Sequence, residues 1–419
     1  MNPSSFTADA ARALPGPDWL RDRRADAAER FAAASLPSTE EEVWRYSRIA
    51  DLDLDAYEPA TSGKPGAVPV AIEGALATVA DRAATVVVIN GRLAHVDVRA
   101  AGIEVGLLED EASFAPLTTD NAPDVFAVMN EAFAGAPIHV RIAPGAVVEA
   151  PIVVAHWSDQ SGLATFPRLI VEAGADSQAS VVDYHASADD ALLLSVPIVE
   201  LSVGQAARLG YVGAQNLGMR TWQIASQLSN VEADATLTSA AAGFGGDYAR
   251  VRTDCRLSGR GATGTLLAVY FGERHQTLDF RTFQDHSAPD TTSNLLFKGA
   301  VSDRSRSVYT GLIHVGKEAR GTNAFQTNRN IKLSEDAWAE SVPNLEIENN
   351  DVRCSHASAV GPVDEDQRFY LESRGVPTPI AERLVVTGFF DEVLTQLPVP
   401  EAAVALRALV GGKLDRIVA

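Results

Sequence analysis

A parallel β-helix core with helical regions on both sides is the fold this sequence predicts, and three observations predict it. Between about 137 and 358, short β-rich runs alternate with small polar turns, and the helical spacing of apolar residues disappears. The turns recur at nearly constant intervals. RIAPGAVVEAPIVV, LIVEAGADSQASVV, VELSVGQAARLGYV, SNVEADATLTSAAA and CRLSGRGATGTLLAVY pivot on Gly145, Gly174, Gly204, Asp234 and Gly261, which are 29, 30, 30 and 27 residues apart. A self-similar period of roughly 20–50 residues marks a stacked repeat. Finally, no long helix separates the units, which argues against alternating βαβ architecture. A sandwich of hairpins and a β-solenoid both remain compatible with the spacing. Small Ala, Gly and Ser side chains at the turns favour the solenoid, whose neighbouring rungs approach closely and whose ends need covers.

The elements follow in order. Residues 18–50 read as helical: DWLRDRRADAAERFAAASL sets Leu20, Ala27, Ala28 and Phe31 on one stripe. Ser38 with Glu41 three later forms a capping box that opens a second helix, EEEVWRYSRI. ATSGKPGAVP (60–69) reads as a loop or linker. TVVVINGRLAHVDV (85–98) reads as two strands around Asn90-Gly91, a strong hairpin signal. A short helix is expected within 120–135, around Val125, Val128, Met129 and Phe133. After the repeats, Asp364 is an N-cap with Gln367 three later, and Gly375 is the C-cap. Thr378-Pro379 opens the next helix as N-cap and first helical residue. Its Val385, Val386, Phe389, Phe390, Val393 and Leu394, with Leu397, cover a broad apolar face suited to docking a partner or to capping the solenoid. PEAAVALRALVGGKLDRIV forms the last helix. The expected division is an N-terminal helical region with a hairpin (1–136), the β-helix core (137–358) and a C-terminal helical domain (359–419).

Composition narrows the partners. Lys plus Arg number 35 and Asp plus Glu 55, a net charge of −20, which argues against nucleic acid and anionic membrane. Two cysteines, Cys255 and Cys354, are too few and too far apart for a disulfide framework, which points to a reducing compartment. The first residues contain no apolar core of secretory length, and the longest aliphatic run, Val86 to Ile89, is far too short to span a membrane. The expectation is a cytoplasmic protein.

DVRCSHAS (351–358) carries the chemistry. On a strand, Cys354 and His356 project from one face. Thiolate beside imidazole suits a soft or borderline metal, though a nucleophilic Cys–His pair is also compatible. Two ligands do not close a site that takes four, so a half-site completed by a neighbouring chain fits this position at the last rung. Cys255 reads as a buried thiol, and His275 and His286 as satisfied surface or core histidines. Gly243, Gly245 and Gly246 resemble a phosphate-cradling loop only superficially, and neither a Walker motif nor a strand–GxGxxG–helix unit is present.

From about 277 to 394 the sequence resembles the SufB/SufD family of iron–sulfur cluster assembly scaffold proteins. TLDFRTFQDHSAPDTTSNLLFKG, VYTGLIHVGKEARGTNAFQTNRNIKLS, VPNLEIENNDVRCSHASAVG, DEDQRFYLESRGVP and AERLVVTGFFDEV carry the resemblance in one colinear order. WRYSRI near the N-terminus resembles a further family feature. The resemblance implies a right-handed parallel β-helix between helical regions. It implies a non-enzymatic subunit in a cytosolic complex, paired through the C-terminal rungs with a SufB-type paralogue and through the C-terminal helices with the ABC-type ATPase SufC, which hydrolyses ATP. A nascent iron–sulfur cluster is then shared at the interface of the two β-helix subunits, with none bound by the isolated chain, which is able to form a homodimer when alone. His356 is the residue expected to serve that cluster, with Cys354 beside it, and Arg374, Gly375, Phe389 and Phe390 are expected to meet the ATPase. B-type chains follow the motif histidine with Glu and carry a Cys before the PxLEI-like strand, where this chain has Ala357 and Ala337. The resemblance is therefore to the D-type, although Ala357-Ser358-Ala359 replaces the usual Gly-Ala-Thr. A B-like homodimeric scaffold is the alternative. A carbohydrate-active β-helix enzyme would need paired carboxylates at rung spacing, and the sequence contains no such repeated pair.

Overall fold

The computed structural model describes residues 5–60, 66–111, 114, 117 and 122–418. Most of the chain winds into a parallel β-solenoid of about 8 turns. Each turn gives one strand to each of two sheets, so successive strands alternate between sheets and every rung hydrogen-bonds to the rungs before and after it. The registers run without slippage through the centre: Thr221–Val231, Tyr248–Leu257, Thr277–His286 and Arg306–Val315 pair residue for residue in one sheet.

The period arises at a turn in which one residue takes a left-handed conformation. That residue is Gly145, Asp176, Ala206, Asp234, Gly261, Asp290 and Gly321 in successive turns, with φ between 57° and 73°. Its backbone N–H donates to a carbonyl one rung on, from Gly145 to Ala175 and onward to Gly321 and Asp351, at 2.7–3.1 Å. Gly174 and Gly204, read from the sequence as the equivalent pivots, lie two residues earlier and are glycine for another reason. A Cβ on Gly174 would stand 2.8 Å from the Ile142 carbonyl oxygen, and one on Gly204 2.8 Å from that of Ala173.

Inside the solenoid, one side chain per rung forms columns. Ile142, Ala173, Val203, Val231, Leu257, His286, Val315 and Ile347 stack in register. The apolar side chains of this interior, aliphatic and aromatic, are continuous over both sheets and form the main core.

The N-terminal end is covered by antiparallel strands. Asn90 and Gly91, both with positive φ, turn the expected hairpin between Ala84–Ile89 and Arg92–Val98. The first hairpin strand also pairs in parallel with Ile152–Ser158, so it belongs to the solenoid's sheet. Ile103–Leu107 closes the other sheet against Ile138–Ile142. Helices α1 (Ala8–Ala13), α2 (Asp18–Ala33), α3 (Val70–Thr78) and α4 (Val125–Phe133) lie in this half. Phe6, Phe31, Phe126 and Phe133 pack with Trp222 and Tyr248 of the sheet.

The helix expected over EEEVWRYSRI does not form. Glu41 does reach back to the Ser38 amide, at 3.0 Å, but the chain then makes two single 3₁₀ turns, Glu42–Trp44 and Ile49–Asp51. Tyr46 between them has φ 65°. Tertiary contacts explain the departure: Trp44 is buried beneath the Arg250 guanidinium at 3.9 Å, Arg48 pairs with Asp247 at 3.0 Å, and Arg281 donates to the Arg45 carbonyl at 2.7 Å. The expected loop at 60–69 falls largely on 61–65, outside the described residues.

After the last strand come α5 (Glu365–Glu372), α6 (Thr378–Leu394) and α7 (Pro400–Val418). Asp364 caps α5, accepting from the Gln367 amide at 3.0 Å, and Gly375 at φ +83° turns the chain after it. The N-cap of α6 is Pro377, with Thr378 already helical, one residue from the expected cap. Helices α6 and α7 cover one sheet's outer face and share a core with it. Lys413 of α7 is buried between Glu273 (3.3 Å) and Gln276 (3.1 Å) at a rung corner. Among the described residues no helix is long and apolar enough to cross a membrane.

Candidate functional site

The last rung is built from Trp338–Ile347 and Arg353–Gly361. Each strand has a neighbour on one side only, Arg306–Val315 and Asn323–Lys332 respectively. Their outer edges therefore present rows of unpaired backbone donors and acceptors. Phe325, Ile347 and Val360 add exposed apolar side chains at this end. Apart from strand-end positions, Arg353–Gly361 is exposed along nearly its whole length, unlike the central strands.

Cys354 and His356 lie on this strand. Register places Cys354 over Ala324 and His356 over Gln326, both buried residues of the interior columns. The two side chains thus continue columns that run down the solenoid axis, at the point where no further rung covers them. Cys354 is half-buried against Leu345, Val352 and Ala324, while His356 is exposed. Burial pushes the Cys354 thiol above its ordinary value, and a hydrogen bond with the Ala324 backbone offsets part of that. Coordination of a soft metal by Cys354 therefore has to displace a proton.

The residues expected to meet a partner separate into two groups. Arg374 is exposed and stacks over Tyr370 at 4.9 Å, with Gly375 exposed beside it. Phe389 is half-buried, its ring 4.4 Å from the Lys298 ammonium. Phe390 is fully buried, stacked on Phe271 with ring centroids 6.1 Å apart. It fastens α6 to the sheet and offers no outward surface, which corrects its expected place on the docking face. Val386, Val393, Leu394 and Leu397 are buried with it. The apolar residues left in solvent are Phe369 and Tyr370 on α5 and Ile380 and Leu384 on α6. Between these helices and the last rungs lies an open groove of about 1130 Å³, lined by Lys298, Arg329, Val360, Tyr370, Leu384 and Phe389.

The remaining sequence candidates are structural. Cys255 is buried in the solenoid, where desolvation pushes its thiol up to about 12. His286 is fully buried, bonded to Thr291 (2.8 Å) and Ser293 (2.9 Å), and burial pushes it down to about 4. His275 is exposed, 3.4 Å from Asp247. Gly245 is held by close rung packing, because a Cβ there would stand 2.1 Å from the Leu217 backbone.

Sequence reading missed a third cluster. Among the described residues, one set of three potential metal-ligating side chains converges: His156, Asp183 and His185, all buried. The signal was present in the repeat. His156 and His185 are 29 residues apart, one rung, and Asp183 is two before His185 on the same face of the strand.

Comparison with known proteins places this geometry. The family model described as SUF system FeS cluster assembly, SufBD core domain, matches residues 156–389, more than half of the chain. An iron–sulfur cluster assembly SufBD family protein of Mycobacterium tuberculosis is 39% identical over 225 residues, 52% of this chain and 57% of that protein. The iron–sulfur cluster assembly protein SufD of Escherichia coli is 25% identical over 384 residues, 88% of this chain and 87% of that protein. A SufBD family protein of Staphylococcus epidermidis is 23% identical over 295 residues, 70% of this chain and 63% of that protein. The chain spans a little over half the length of the mycobacterial relatives it matches.

Proposed function

This chain belongs to the SufBD core family of the SUF iron–sulfur cluster assembly system, and from that premise we propose that it is a SufD-like, non-catalytic scaffold subunit of a cytoplasmic complex. Its last rung pairs with a SufB-type paralogue, and α5 and α6 receive a SufC-type ATPase. The nascent cluster is cargo at the joint: His356, with Cys354 beside it, brings two donors to a site whose other donors come from the paralogue. One observation carries this reading. His356 and the half-buried Cys354 stand where interior columns end at unpaired strand edges, so a second β-solenoid can extend both sheets and face its own terminal side chains toward His356.

Helices α5 and α6 lie beside that joint and share the groove with strand Arg353–Gly361. A nucleotide-driven movement applied to these helices would therefore reach the cluster edge. The test is co-expression with a SufB-type chain and a SufC-type ATPase, followed by size-exclusion chromatography and anaerobic reconstitution. A ternary complex whose cluster depends on the paralogue is expected. A stable cluster with stoichiometric iron on the isolated chain would favour the B-like homodimer instead, and failure to bind the paralogue would reject the reading.

A further inference from the structure

Far from the open edge, near the N-terminal end of the solenoid, the interior changes character. There His156 on Ile152–Ser158 stacks directly on His185 of Gln178–Ser187, with ring centroids 4.3 Å apart and planes within 6° of parallel, in an inward column that runs Val88, His156, His185, Gln215 and Gly243. Asp183, one inward position before His185, sets its Oδ1 3.2 Å from His156 Nε2 and 3.1 Å from His185 Nε2. The three side chains are 7%, 2% and 7% exposed for His156, Asp183 and His185.

The contacts among them are short but poorly aimed for hydrogen bonding. Neither ring nitrogen of His156 has a hydrogen-bond partner, and Asp183 Oδ1 accepts none, despite the short separations. Buried polar atoms left in this state are costly, and Val88 and Val154, in register on the preceding strands beside His156 and Asp183, show that apolar residues fit these columns. The other carboxylate oxygen is held: Tyr211 Oη on the next rung donates to Asp183 Oδ2 at 3.0 Å. Tyr211 can lean across because the residue in register above Asp183 is Gly213, whose added Cβ would stand 3.0 Å from the Tyr211 ring. So one oxygen is fixed by a neighbour, and the other lies within 3.2 Å of one nitrogen of each imidazole.

That arrangement is a donor set. Donors bound to one ion at roughly 2.1 Å each lie about 3.0–3.4 Å apart, which matches both nitrogen–oxygen separations, and on binding the two stacked rings tilt toward each other to bring both in-plane lone pairs onto the ion. All three ligand atoms lie within 4.8 Å of one another. Beside them the interior holds a cavity of about 60 Å³, lined by Asp183, His185, Tyr211, Gln223 and Gln227. It has room for water as a further ligand. Two imidazoles and one carboxylate with open positions favour a borderline divalent transition ion over Mg²⁺ or Ca²⁺, which prefer all-oxygen shells.

We propose that His156, Asp183 and His185 form an interior binding site for one borderline divalent transition-metal ion, of the class that includes Fe²⁺, Co²⁺ and Zn²⁺, which ties two adjacent rungs together beside the N-terminal cover. The ion is enclosed as the chain folds, since its ligands come from neighbouring rungs and are buried. The site is independent of the Cys354–His356 edge and of the scaffold reading above.

The experiment uses the full chain, unfolded in urea and refolded with Co²⁺ in metal-depleted buffer, then gel-filtered. About one Co²⁺ per folded chain is expected, with visible d–d bands, no thiolate-to-cobalt charge-transfer band and a raised melting temperature. Zn²⁺, and Fe²⁺ under anaerobic conditions, should compete when present during refolding. The combined Cys354→Ala, His356→Ala variant should retain the cobalt, and Asp183→Asn and His185→Gln should lose it. Wild-type protein that refolds to its native circular dichroism with less than about 0.1 Co²⁺ per chain overturns the site. So does a thiolate band, or cobalt that persists in a folded Asp183→Asn variant. Because the wild-type stoichiometry and spectrum decide by themselves, a variant that fails to fold leaves the test intact.

Discussion

Two histidines show how position in the rung sets chemistry. His286 sits in an aliphatic column between Leu257 and Val315 and is held by two hydroxyls. Its folded value of about 4 lies below its ordinary 6.5, so the unfolded chain takes up a proton that the folded chain refuses. Stability is therefore flat above pH 6.5 and falls as pH drops toward 4, by about 3 kcal/mol from this residue. Urea unfolding across that range should show the loss in wild type and a shallower one in His286→Gln; equal acid limbs in the two proteins would reject the assignment. His356 occupies the equivalent inward side of its strand but has no rung above it. His356→Ala should leave the circular dichroism and the assembly with partners intact and lower cluster maturation in cells. Unchanged maturation would remove His356 from the mechanism. The parity of C-x-H was legible from sequence alone, whereas the burial that distinguishes Cys354 from His356 was not, because it depends on which rung comes last.

At the scale of elements, α6 splits its apolar residues between two duties that sequence could not separate. Phe389 and Phe390 are adjacent and equally hydrophobic, yet Phe390 packs on Phe271 and Phe389 meets Lys298 at the groove. Phe390→Ala should cost about 3–5 kcal/mol of stability through the cavity it leaves, visible as a lower urea midpoint. Phe389→Asp places a carboxylate beside the Lys298 ammonium, which keeps the fold, and should weaken binding of the ATPase by about tenfold or more. Unaltered binding would move the docking surface away from the groove. The segment 39–50 shows the opposite case. A sound capping box opened no helix, because Trp44, Arg45 and Arg48 make sheet contacts that an α-helix would break.

Taken as a whole, the molecule is asymmetric from end to end. Its first rungs are covered by antiparallel strands and by α1, α2 and α4, while its last rung is uncovered. A stack held by nearest-neighbour contacts should open from its free end. Amide hydrogen exchange is expected to be fast along Arg353–Gly361 and slow along Arg208–Asn216 and Thr221–Val231. Binding of a SufB-type partner should slow the former selectively. Uniform protection along the free chain would show that the terminal rung is not the weak end. The net charge of −20 opposes the close approach of two identical chains by long-range repulsion.

The sequence by itself determined the solenoid, since the spacing of turns reports the length of one repeat and the small side chains at the turns favour stacked coils over a sandwich of hairpins. It also determined the helical flanks and the pairing of Cys354 with His356 on one strand face, because periods of 2 and 3.6 are local properties. Only the tertiary structure decided that Phe390 turns inward, that the WRYSRI segment clamps to the sheet, and that His156, Asp183 and His185 meet. The histidine–aspartate cluster depends on which rung lies above or below, nearly thirty residues away in sequence, and the other two on contacts between segments more than a hundred residues apart.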